Sequence, residues 1–219
     1  MRTLTTFCLA LIASIALPLT TLAQPWQSSV QDHTITSTGF PEGTIKVDKK
    51  LTYIGSDKWV LYGVADCEIH VFAETDADKT LKRLIWVQFE GYLPDKPHTY
   101  NYDKEPFRTE LSGHTYFDRV TFRKMDPAQK PRAGSDAERV LNMLESKGIK
   151  LSAEAANVRW VRLNEDRRKE LLIIYVENLA PLNLTAADLA DGGKAAADIE
   201  TVRAGIRERA KALLTIKMK

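Results

Sequence analysis

Apolar and polar positions alternate with a period of two through much of the stretch from 43 to 123. In "ADCEIHVFAE" (65–74), Cys67, Ile69, Val71 and Ala73 are small or apolar, and Glu68, His70 and Glu74 alternate with them. This predicts a strand over 67–74 with Cys67 and His70 on opposite faces, which separates the two side chains and argues against a Cys–His metal pair. A second strand over 81–92, after the polar loop 75–79, carries Ile85, Val87 and Phe89 on one face and Leu84, Trp86, Gln88, Glu90 and Tyr92 on the other. Shorter strands are expected over 33–40 (an edge strand), 98–102 and 114–122. Segments 50–54 and 58–62 flank Gly55-Ser56-Asp57 and read as a hairpin. Strands joined by short loops pair antiparallel.

The period changes to 3.6 after a Pro- and Gly-bearing connector over 126–134. Ser135-Asp136-Ala137-Glu138 is a capping box, Val140, Leu141 and Leu144 follow at helical spacing, and Gly148 is the stop signal. A hairpin is expected over 157–163 and 170–178, around the charged turn 164–168. Its second arm, "ELLIIYVENL", is apolar on both faces and predicts a central strand covered on both sides. Thr185 caps a short helical turn, which accounts for the Asn183-Leu184-Thr185 sequon better than glycosylation does. A final helix over 194–214 presents Ile199, Val202, Ile206, Ala210 and Leu213 as one stripe. The fold class is therefore α+β: a curved antiparallel sheet with a mid-chain helix and a long C-terminal helix packed on one face. That layout often encloses a pocket.

The N-terminus changes the expected compartment. Arg2, an apolar run over 4–19 and the small residues of Thr21-Leu22-Ala23 have the form of a bacterial-type signal peptide, with cleavage after Ala23. Residues 1–23 are assigned to the signal and 24–219 to a single α+β domain, exported to the periplasm or secreted. No other stretch approaches membrane-spanning length, so no stable membrane insertion is expected. Cleavage would remove Cys8 and leave Cys67 alone, so stability must come from the core rather than a disulfide. The charge balance of 31 basic to 29 acidic residues gives no reason to expect nucleic acid as a partner. The basic run between Arg203 and Lys219 reads as a solvated helix face.

No nucleophile elbow, zinc-protease helix, haem motif or phosphate loop is present, and no cofactor or metal is expected. The candidate chemistry lies on one sheet face. A register with Ile69 opposite Val87 would set His70 against Trp86, Glu68 against Gln88 and Phe72 against Leu84. Such a face is too apolar for water and too polar for plain core. The loop that follows is rich in aromatics and histidine, including His98, Tyr100 and His114. These features point to a binding protein that holds a small molecule, or a peptide or polymer, between the sheet and the aromatic loop. Trp86, Tyr92 and Tyr100 would supply stacking surface, and Glu68, His70, Glu90, His98 and His114 polar anchoring. Two other readings use the same residues: a cell-envelope assembly protein using the apolar face for a partner, and a hydrolase working through His98 or His114.

Overall fold

The computed structural model describes residues 26–126 and 128–219; the expected signal segment and Cys8 lie outside them. Eleven strands form two antiparallel sheets. A seven-stranded sheet has the order β4 (Thr52–Leu61), β5 (Ala65–Thr75), β6 (Leu81–Tyr92), β10 (Lys169–Asn178), β9 (Glu154–Leu163), β8 (His114–Lys124), β7 (Phe107–Leu111). A four-stranded sheet has the order β1 (Ser28–Gln31), β2 (Thr34–Ser37), β3 (Gly43–Val47), β11 (Leu214–Met218). One face of the large sheet packs on helix α1 (Asp136–Ser146) through Cys67, Ile69, Val71, Leu84, Trp86 and Ile174. The other packs on the small sheet and helix α2 (Ile199–Ala212) through Phe72, Ile85, Val87, Trp160 and Tyr175. The class is α+β, and β10 is the middle strand, as its apolar run requires.

Helix α1 follows its sequence signals closely. The Ser135 hydroxyl accepts the Glu138 amide at 3.2 Å, and the Glu138 carboxylate accepts the Gly134 amide at 2.7 Å. At the other end Gly148 has φ +69°, and the amides of Gly148 and Ile149 donate back to the carbonyls of Glu145 and Leu144. Helix α2 buries Ile206 and Ala210 from the expected stripe. Its basic face is not all solvated: the Arg207 guanidinium donates to the buried Asp118 of β8 at 2.7 Å and fixes the helix to the sheet.

Four local expectations are corrected. The supposed hairpin around Gly55 is a single strand, β4, which takes a bulge between Tyr53 and Gly55 and pairs along β5 over its full length. The long partner supplies a continuous ladder, and that outweighs the local turn signal. The expected edge strand over 33–40 is β2, an interior strand, because residues 28–31 form β1 beside it across a turn at Asp32 and His33, both with positive φ. The expected strand over 98–102 is loop. The last helix ends at Ala212, and the residues after it form β11, which closes the small sheet against β3. This pairing requires glycine at Gly43, where a Cβ would lie 2.2 Å from the Lys217 carbonyl oxygen.

The register of β5 against β6 departs by one residue from the expected one. At the hairpin mouth Thr75 pairs with Leu81, but Glu74 pairs with Arg83, so Lys82 is an extra residue in β6. Beyond this bulge Cys67 pairs with Glu90, Val71 with Trp86, His70 with Val87 and Glu68 with Phe89. A one-residue slip moves a whole strand to the other face relative to its neighbour. Glu68 and His70 therefore face the small sheet, whereas Trp86, Glu90 and Tyr92 share the α1 face with Cys67.

On the small-sheet side Glu68 and His70 are 3% and 2% exposed and staple the two sheets together. Glu68 accepts the backbone amides of Gln27 (2.7 Å) and Ser28 (3.0 Å), the Ser28 hydroxyl (2.6 Å) and the Lys58 ammonium (2.9 Å). Burial works against its ionisation, but Ser28, Gln27 and Lys58 together outweigh it and hold the carboxyl below its ordinary value. Replacing Glu68 with Gln should cost about 3 kcal/mol, because a buried ion pair loses one partner. Urea unfolding reads this cost, and faster amide exchange at Gln27 and Ser28 locates it. Ser28→Ala should cost about 1 kcal/mol.

Candidate functional site

The α1 face of the large sheet carries a line of polar side chains through otherwise apolar packing. The Trp86 indole N–H donates to the Gln88 Oε1 at 3.0 Å, and the Gln88 amide donates to the Glu90 Oε2 at 2.7 Å. The Tyr100 hydroxyl donates to the Glu90 Oε1 at 2.8 Å. Trp86, Gln88 and Glu90 are alternate residues of β6, so one strand face presents all three. Glu170 of β10 stands directly opposite Glu90 and is 2% exposed. Opposed residues in such a ladder have Cβ atoms about 4.5–5.5 Å apart, so each carboxyl group lies within the electrostatic reach of the other.

Two adjacent buried carboxyls do not both ionise at low cost. Burial, then the charge of Glu90, pushes Glu170 up to about 8; a hydrogen bond with Tyr102 offsets part of this. Burial also raises Glu90, against the hydrogen bonds from Tyr100, Cys67 and Gln88. Asp136, in the first turn of α1, adds a like charge to both. The Glu170 Oε2 has no hydrogen-bond partner among the described residues, so an ionised carboxylate would be poorly stabilised there. The Cys67 thiol is pushed far up by burial, then by Glu90, and is inert.

The loop over 93–106 closes this end of the face with its own side chains. Tyr100 is buried and stacks on Tyr92, ring centroids 4.4 Å apart. Tyr102 lies 5.7 Å from Phe117 beneath the Arg159 guanidinium. Two arginines of the β9–β10 turn hold the loop backbone. Arg168 donates to the carbonyls of Leu93 (2.8 Å), Lys96 (2.7 Å) and His98 (3.3 Å), and Arg167 donates to that of Tyr100 (3.0 Å). Glu105 pairs with both Arg159 and Arg119.

The other end of the same face is open. A cavity of about 440 Å³ lies between α1, the connector that precedes it and the sheet. Leu81, Leu84 and Trp86 are its floor, Val140 and Leu144 of α1 one wall, and Arg123, Lys124, Lys130 and Arg132 part of its border. A smaller opening of about 190 Å³, at the strand ends, is bordered by Asp66, Glu68 and Glu90 with Lys169. Among the described residues no group of three or more His, Cys, Asp or Glu side chains could hold a metal ion.

The eight sequence-predicted residues therefore occupy several places. Trp86, Glu90, Tyr92 and Tyr100 come together on the α1 face. His98 is exposed on the loop, its ring 5.4 Å from that of Tyr92. His114 lies at the edge hairpin, opposite Leu111. Glu68 and His70 belong to the staple on the far face. There Ser28 Oγ stands 2.8 Å from His70 Nε2, but its proton goes to Glu68. Nε2–H then donates to Ser28, with Tyr53 at 3.4 Å from Nδ1. Burial pushes His70 down to about 4, partly offset by Glu68. Histidine here is a neutral donor, not a base poised to activate serine. Gln88 was placed on this face from sequence without a role, and Glu170, Tyr102 and the basic border were not among the candidate site residues. An acid opening the apolar run of β10 was the available signal, but its partner is set by a non-local strand pairing.

The fold and site define a three-layer α+β protein with a paired-acid cluster and an open apolar cavity on one sheet face. No protein-family model, no curated protein and no solved structure matches the chain. Among the described residues no helix is long and apolar enough to cross a membrane.

The acid pair makes stability fall as pH rises. Folded Glu170 keeps its proton up to about 8, whereas the unfolded carboxyl releases it near 4.5, so the folded state binds more protons between these values. His70 acts oppositely. Folded, it stays neutral down to about 4, and unfolded it protonates near 6.5, so its contribution rises with pH over that window. The two slopes oppose each other up to 6.5, and a net decline follows from 6.5 to 8. Each retained proton costs about 1.4 kcal/mol per pH unit. Urea unfolding across this range should show the decline in the native chain and a flat profile in Glu170→Gln; an equal slope in both would refute the assignment.

Proposed function

We propose that this is an exported binding protein that holds a small ligand on the α1 face of its large sheet. The observation that carries this reading is the 440 Å³ cavity floored by Leu81, Leu84 and Trp86. Its size falls within the range of about 300–1,000 Å³ common to ligand pockets. The layer around it is otherwise closed by α1 and the aromatic loop. The loop and the acid pair support the site rather than contact the ligand: Arg167 and Arg168 pin the loop, Tyr100 caps Glu90, and the Gln88 bridge orients the Trp86 indole. The ligand thus sits at the opposite end of the face from the position first expected, because Tyr100 occupies the space beneath the loop.

The cell-envelope assembly reading, expected on the apolar sheet face, would instead draw on Val60 and Tyr62 at the end of edge strand β4, which are 49% and 44% exposed. An unpaired strand edge is a template for another chain, but the bulge in β4 interrupts it. The hydrolase reading has less support, since neither the His98 nor the His114 ring has a hydrogen-bonded carboxylate among the described residues.

Ala137→Trp, projecting from α1 into the cavity, should abolish ligand retention seen by native mass spectrometry of protein purified from its own host, with the circular dichroism spectrum unchanged. Retention at the native level would place the ligand elsewhere. Arg168→Ala should free the loop, cost about 2 kcal/mol and open the chain to proteolysis between 93 and 106.

A further inference from the structure

We infer that the ligand is an anionic amphiphile, a single long apolar chain carrying a carboxylate or phosphate headgroup; the inference rests on the binding reading above. The cavity combines two chemistries, an apolar floor and a basic border. Its floor and inner wall are apolar and nearly closed to water: Leu81, Leu84, Trp86, Val140 and Leu144 are all buried. That surface suits a hydrocarbon chain, whose burial is worth about 0.8 kcal/mol per methylene.

The border has the opposite character. Arg123 and Lys124 end β8, and Lys130 and Arg132 lie on the facing connector; all four are exposed and line the opening. Among the described residues none of the four has a carboxylate partner, and the Arg132 guanidinium rests on the Tyr62 ring at 4.2 Å. Asp126 is the one acid in the lining, and it accepts the Ala128 amide at 2.9 Å within its own turn. Four cations against one engaged acid is a local excess in a chain of 31 basic and 29 acidic residues. Their mutual repulsion is relieved when an anion occupies the mouth. The strand-end opening is acidic instead. A further cavity, bordered by Lys50, Lys79 and Lys147, has Glu74 and Thr75 in its lining and no buried tryptophan.

Depth sets the order of groups. Trp86 and Leu84 lie at the bottom and the cations at the rim, so the chain enters first and the headgroup stays at the surface. Carboxylate and phosphate headgroups share this chemistry, and a free amphiphile is distinguished from a membrane surface by stoichiometry.

Titration of the full chain with dodecanoate, dodecyl phosphate and dodecanol, read by tryptophan fluorescence and calorimetry, tests the inference. Both anions should bind at one per chain, and dodecanol at least about tenfold more weakly. Inorganic phosphate alone should not compete. The double variant Arg123→Gln/Lys124→Gln, altered only at exposed positions, should weaken both anions about tenfold and leave dodecanol unchanged. Equal binding of dodecanol and the anions overturns the headgroup assignment while the cavity stands. Failure of all three to bind overturns both. Adsorption to anionic vesicles without extraction of one chain per protein overturns the free-amphiphile assignment in favour of surface docking.

Discussion

The pairing of Cys67 with Glu90 across β5 and β6 governs the rest of the structure. One extra residue, Lys82, sets it, and Glu74 holds both Lys82 and Arg83 at that point. In this register the apolar odd positions of β5 share a face with Trp86, Gln88 and Glu90, while Glu68, His70 and Phe72 share the other with Ile85, Val87 and Phe89. Both faces are thus mainly apolar, and both carry polar groups that need partners. Neither can face water, so the sheet must be covered twice.

The two covers satisfy their polar groups in different ways. On the small-sheet side Glu68 stays ionised, because donors from β1 and β4 converge on it. On the α1 side Glu90 and Glu170 face each other, and burial and their mutual charge outweigh the Tyr102 hydrogen bond and the Arg159 charge, so the pair keeps a proton. The carboxyl on one face of the sheet thus stays ionised while the pair on the other face keeps a proton, decided by what packs over each face. The acid pair resembles a general acid–base site in composition alone. Hydrogen-bonded to Tyr100 and Tyr102, it orders a layer instead.

Helix α1 is only eleven residues long and cannot cover a face seven strands wide. The aromatic loop closes one remainder of that face, drawn down by Arg167 and Arg168; the other remainder is the cavity at Leu81, Leu84 and Trp86. The binding reading rests on this mismatch between a long sheet and a short helix. A cavity framed by secondary structure and one tethered connector is largely preformed, which lowers the ordering cost of filling it.

Much of this fold was legible in the sequence. Period-two alternation marked the long strands, the Ser135–Glu138 box and Gly148 bounded α1 within two residues, and the doubly apolar run identified β10 as the central strand. These are local signals, read from neighbours within one or two turns of chain. The separation of Cys67 from His70 was legible for the same reason. The β5–β6 register, the continuity of β4 through Gly55, the strand β11, and the pairing of Glu90 with Glu170 were not. Each depends on residues far apart in the chain, or on a single bulge that alternation does not reveal. Of the candidate residues, Trp86, Glu90, Tyr92 and Tyr100 share one face, while Glu68 and His70 were read onto it through the slipped register. The sequence by itself determined the long strands and helix α1 and which side chains alternate along them, because backbone geometry imposes those periods. Tertiary structure alone decided which face meets which cover, because a shift of one residue leaves every local pattern intact and exchanges the sides.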